Sequence, residues 1–141
     1  MTLRDLNQLQ YLRRELRRIE TQIAEIKEGI ATPSSSAFDA VGGGGSRNLQ
    51  PMESRVISAL SQEDKYEWRK SALIDMIAIL EKYISDISDS RTRQIFELRF
   101  EYGYTWAEVA KRMGGGNTAE TVRQVCCRYV KLSHMSQKSM L

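Results

Sequence analysis

Arg123, Gln124, Arg128 and Lys131 share one pattern near the C-terminus. Relative to the apolar set Val122, Val125, Cys126 and Tyr129, they fall on or beside the opposite face of a helix. Guanidinium and ammonium groups on such a face suit phosphate oxygens, and arginine or glutamine can also pair with a base edge. Arg123 is the best placed to read a base, with Arg128 and Lys131 set for phosphates. A merely solvated basic face is the competing explanation for such a set.

Other chemistry is poorly provided for. Cys126 and Cys127 are adjacent, so on a helix they point apart and cannot form an ordinary disulfide. His134 is the single histidine, and no zinc-ligand spacing accompanies it. Gly114-Gly115-Gly116-Asn117 is not followed by the lysine and hydroxyl residue of a phosphate-binding loop. Neither a nucleophile set nor clustered carboxylates with metal spacing occur. The expectation is a protein that is not an enzyme, with no cofactor and no metal.

Three short helices must position the basic face. Ser88-Asp89-Ser90 supplies capping residues for the first, whose core face is Ile95, Phe96, Leu98 and Phe100, with Gly103 as its terminal glycine. Thr105 to Glu108 forms a capping box that opens a helix from Trp106 to Met113. The three glycines break it. Asn117-Thr118-Ala119-Glu120 is read as a second capping box, opening a last helix that runs to Ser133. Small Ala107 and Ala110 let the middle helix pack closely, and Val109, Met113, Val122, Val125, Cys126 and Tyr129 set the angle between the last two helices. Three helices with a glycine turn between the second and third describe a helix-turn-helix, which sets its last helix in the major groove of DNA. Charge agrees. From Tyr104 onward six bases face two acids, whereas Arg47 to Gly103 holds nine bases and ten acids, against a net charge of only +3 for all 141 residues.

The run Arg93 to Phe100, followed by Gly103 to Ala110, resembles region 4 of the sigma-70 family. Thr118 to Gln124 looks like the start of that family's recognition helix. The resemblance implies that Glu120, Arg123 and Gln124 touch bases or phosphates and that Thr118 contacts the backbone. With Ala119 and Thr121 of the same turn, and Arg128 and Lys131, they make up the candidate DNA-binding set. Two departures matter: Ala119 stands where the family often has arginine, and Gly115-Gly116 lengthens the turn. The sequence read should therefore differ from a promoter −35 element. The layout as a whole is similar to small phage and prophage proteins of the ArpU/RinA type, which regulate late genes. Nothing in the first ninety residues resembles the parts of a sigma factor that melt promoters and grip polymerase, so that label does not follow.

Ahead of this unit the chain is built for helix pairing. Leu9, Leu12, Leu16, Ile19, Ile23, Ile26 and Ile30 form a heptad seam. Leu73, Ile77, Leu80, Ile84 and Ile87 continue the same spacing later, after an apolar patch of Val56, Ile57 and Leu60. The expected organisation is a heptad helix at 1–30, a flexible Gly/Ser-rich linker at 31–50, a second long helix at 51–87, a helix-turn-helix domain at 88–133 and a tail at 134–141. The fold class is all-α, a long coiled-coil-like helical hairpin followed by a three-helix domain. Whether the long helices pair within one chain or between two is open from the sequence. Homo-oligomerisation through them is expected, since one helix-turn-helix alone binds weakly. The composition, 41% hydrophobic and 28% charged, is globular. No signal region or transmembrane stretch is seen, and the cytoplasm is the expected compartment. The expected partner is double-stranded DNA. RNA polymerase is a second candidate partner, and a small-terminase-type packaging protein is the alternative function.

Overall fold

A computed structural model describes residues 1–31 and 52–140. The expected linker at 31–50 falls outside them, except for Ala31 at a helix end. Six α-helices follow in order: α1 (Leu3–Asn7), α2 (Leu9–Ala31), α3 (Met52–Ser85), α4 (Ser90–Phe96), α5 (Trp106–Met113) and α6 (Ala119–Ser139). A π-helical turn at Glu97–Glu101 extends α4. The described residues contain no strand. They form two compact units, Met1–Arg14 with Ile74–Leu141, and Glu15–Leu73.

The second unit is an antiparallel helix pair made within one chain. Ile19 and Ile23 of α2 and Leu73 of α3 are buried. Arg69 reaches Glu15 at 2.6 Å, Lys70 reaches Glu20 at 3.9 Å and Lys27 reaches Glu63 at 3.6 Å, so early residues of α2 meet late residues of α3. Each pair joins an exposed partner to a half-buried one at the surface, and each contributes about 1 kcal/mol at most. They fix register, whereas the buried aliphatic side chains supply most of the stabilisation. The seam is less even than its spacing suggests, because Leu16 and Ile26 are only half-buried. Val56, Ile57 and Leu60 do not enter a core. They are 38%, 67% and 46% exposed.

The first unit holds the larger core. Leu6, Leu9, Ile84, Ile87, Ile95, Phe96, Val109, Val122 and Cys126 are completely buried. A chain of edge-to-face and tilted rings runs through it: Tyr83 to Tyr129 to Phe96 to Phe100 to Trp106, with centroids 5.4–6.3 Å apart. Such pairs add about 0.5–1.5 kcal/mol each beyond area burial. The first heptad helix is not continuous. Thr2 and Asp5 form a capping box for α1, and a turn at Gln8 separates it from α2.

The π-turn is the element that periodicity did not reveal. Tyr102 N–H reaches back five residues to Glu97 O at 3.0 Å, and Gly103 follows with φ +77°. A π-turn leaves carbonyls without their usual partner. The Gln10 amide donates to Phe100 O at 2.8 Å and to Glu101 O, and Arg13 Nη1 donates to Glu101 O at 2.8 Å. Arg13 also pairs with Glu81. Burial pushes the Glu101 carboxyl above its usual range, partly offset by Arg13.

The last helix differs as well. It continues to Ser139 rather than ending at Ser133, so 134–139 is helix and not tail. No glycine or proline interrupts Leu132 to Ser139, so nothing local stops it.

Candidate nucleic-acid interface

The α5–turn–α6 unit is set by local chemistry at each end. Thr105 Oγ1 accepts from Glu108 N–H at 3.3 Å and the Glu108 carboxylate accepts from Thr105 N–H at 2.9 Å, the capping box expected. Lys111 and Arg112 occupy the last turn of α5, where cations complement the helix dipole. Gly114, Gly115 and Gly116 have φ of +64°, +64° and +77°, a run that side-chain-bearing residues adopt only under strain. A Cβ on any of them would meet nothing within 4 Å, so it is backbone conformation that requires glycine here, not crowding.

The cap of α6 differs from the expected one. Thr118, not Asn117, is the N-cap residue, and its partner is Thr121, not Glu120. Thr118 Oγ1 accepts from Thr121 N–H at 3.2 Å, and Thr118 N–H donates to Thr121 Oγ1 at 2.7 Å. Asn117 is committed elsewhere. Its amide donates to Gly114 O at 2.6 Å and its Oδ1 accepts from Arg91 at 2.8 Å. The Thr118 shift leaves Glu120 free on the outer face.

Glu120 uses that freedom to gather two of the candidate residues. Its carboxylate accepts from Arg123 Nε at 3.0 Å and Nη2 at 2.6 Å, and from the Gln124 amide at 3.2 Å. The hydrogen bond from Arg123 holds the Glu120 carboxyl below its ordinary range, and the same bond raises the arginine. Thr118, Ala119, Glu120, Thr121, Arg123, Gln124, Arg128 and Lys131 are all exposed. They divide into three groups. Thr118 and Thr121 spend hydroxyls on the cap, Glu120, Arg123 and Gln124 form one network, and Arg128 and Lys131 have no hydrogen-bond or ion-pair partner among the described residues. Ala119 is open surface.

Behind this face the packing is tight. Val109, Val122 and Cys126 are completely buried and Ala110 is 5% exposed. Met113, Val125 and Tyr129 are half-buried. Ala107 is exposed, so it is Ala110 alone that permits close approach of α5. Burial pushes the Cys126 thiol up to about 12, which keeps it protonated and unreactive at neutral pH.

Arg91 carries no local sequence signal of a role at this face. It sits in the first turn of α4, exposed, and its bond to Asn117 brings a cation beside the start of α6. The two residues are 26 positions apart, so no local pattern links them. Arg112, in the last turn of α5, holds its guanidinium carbon 4.1 Å from the Tyr104 ring centre. Among the described residues, no group of three or more histidine, cysteine or acidic side chains could hold a metal ion. No described helix is long and apolar enough to cross a membrane.

No curated protein and no solved structure matches the chain. Residues 89–126, from the cap of α4 into the middle of α6, match the family model of sigma-70, region 4. That region is a DNA-binding helix-turn-helix domain, and the unit built by α4, α5 and α6 is a sigma-70 region 4-like helix-turn-helix.

Proposed function

We propose that this chain is a sequence-specific DNA-binding transcription regulator of phage or prophage genes, which sets the N-terminal turns of α6 in the major groove. The observation that carries the reading is the exposed Glu120–Arg123–Gln124 network on the first turns of α6, inside the span that matches sigma-70 region 4. In this reading Arg123 exchanges Glu120 for the O6 and N7 acceptors of a guanine, and Glu120 turns to a cytosine amino group. Arg128, Lys131 and Arg91 hold phosphates on either side. The phage assignment rests on the likeness of layout to late-gene regulators. Two copies act together, because a single helix-turn-helix binds weakly. The apolar residues still open on α3, such as Val56 and Ile57, are available for that association.

Genome-wide footprinting of the full chain tests this reading. The expected result is a set of sites sharing one motif, lost in Arg123→Ala. Scattered occupancy without a motif, unchanged by Arg123→Ala, would overturn it. Binding to duplex DNA that does not weaken with salt would point instead to polymerase as the partner, since phosphate contacts release counterions.

A further inference from the structure

A second basic feature lies within the first unit, apart from the candidate residues of α6. A cleft of about 420 Å³ opens between the N-terminal helices and the π-turn. Asn7, Tyr11 and Arg14 line it from one side, and Arg99 and Gly103 from the other. None of its eight lining residues is acidic.

The two arginines differ from their neighbours in how they are satisfied. Arg13 pairs with Glu81, and Arg123 pairs with Glu120. Arg14 and Arg99 have no carboxylate partner among the described residues. Arg14 is exposed, with its guanidinium carbon 5.9 Å from the Tyr11 ring centre. Arg99 donates from Nη1 to Tyr104 O at 2.8 Å, and its buried Nε has no partner. Its guanidinium carbon stands 4.7 Å from the centre of the Trp106 ring. That stacking, with the bond to Tyr104, holds a cation in place without neutralising it. Gln10 adds no charge and no spare amide donor, being committed to the π-turn carbonyls.

We propose that this cleft binds a phosphate group, with Arg14 and Arg99 as the paired cations. Two guanidiniums offer a forked set of donors that matches phosphate oxygens, and their two charges balance a phosphate monoester, which carries about −1.5 to −2 near neutral pH. Asn7 and Tyr11, which also line the cleft, carry further hydrogen-bond donors. The ligand is accordingly a free phosphate or a small phosphorylated molecule, and the diester backbone of DNA is the other source of the same chemistry. The site is distinct from the base-reading face of α6 and stands or falls without it.

Trp106 provides the readout because it stacks on Arg99. Trp68→Phe, a change at a side chain that is 76% exposed, leaves Trp106 as the single tryptophan of the full chain. Titrating that protein with inorganic phosphate at constant ionic strength should give a saturable fluorescence change that chloride does not produce. Arg14→Ala should weaken it about tenfold or more, as for loss of a charge-assisted hydrogen bond. Arg14 is exposed, so its removal leaves the fold intact, which far-ultraviolet circular dichroism checks. An equal fluorescence change in Arg14→Ala, or no saturable change together with a salt slope that Arg14→Ala leaves unaltered, would overturn the proposal. Salt dependence of binding to a non-specific duplex separates the two sources. If phosphate alone gives no response while Arg14→Ala lowers the salt slope by about one, the cleft holds DNA backbone, and a small phosphorylated ligand is ruled out.

Discussion

Glu120 and Arg123 form a two-pronged pair on the outer face of α6, with Nε and Nη2 of the arginine 3.0 and 2.6 Å from the two carboxylate oxygens. The pair holds the guanidinium against the carboxylate by two hydrogen bonds in the free protein. It also places a negative charge beside the residue best suited to read a base. Removing either partner should therefore have opposite consequences for binding.

Arg123→Ala should weaken specific binding by about 1–3 kcal/mol and relax preference at one base pair. Glu120→Gln should raise affinity for random duplex while lowering discrimination, because a carboxylate facing the phosphates is gone. Competitive binding with operator and random DNA measures both. Glu120 has a depressed pKa, so its charged form and the pair persist above the unfolded pKa and fade as pH falls through the folded value. Discrimination should thus be flat around neutrality and decline only in the acid range.

The corrected cap makes a separate stability prediction. Thr118→Ala should cost about 1 kcal/mol in denaturant unfolding, as for loss of an N-cap side chain. Glu120→Ala should change stability little, since its carboxylate caps nothing. The reverse order would restore Asn117 and Glu120 as the capping pair.

Gln10 and Gly103 should be sensitive for one shared reason. Gln10→Ala strips the amide donor from the carbonyls of Phe100 and Glu101 and should cost about 1–3 kcal/mol. Gly103→Ala combines φ +77° with a Cβ 3.2 Å from the Gln10 side chain, so it should destabilise more than Gly115→Ala, where only the backbone objects. Chemical denaturation of the three variants orders them.

The adjacent cysteines should react at different rates. Cys126 is buried, with its thiol pushed up to about 12, whereas Cys127 is half-buried with a route to solvent. A thiol reagent at neutral pH should label Cys127 first, and Cys126 only after unfolding. Equal rates in the native protein would show that the α5–α6 core opens readily.

Features that depend on neighbours three or four residues apart were legible in the sequence. The Thr105–Glu108 box, the start of α4 at its Asp89 cap, the glycine turn and the buried faces of α4, α5 and α6 all rest on such spacing. The outer position of Arg123, Gln124, Arg128 and Lys131 follows from the same periodicity, because burying Val122 and Cys126 exposes the opposite side. Threonine at 118 and at 121 defeated the second cap, since two hydroxyls can satisfy the same donors as an asparagine and a glutamate. Only the tertiary structure decided the rest. The π-turn at Glu97–Glu101 has its carbonyls met by Gln10 and Arg13, about ninety residues away. Arg91 reaches the start of α6 only because α4 packs against it. The long helices pair within one chain: Ile19, Ile23 and Leu73 are buried, and Glu15, Glu20 and Lys27 find counterparts on α3 that fix the register. A heptad seam states that a helix wants a partner; which helix answers depends on how the chain turns back.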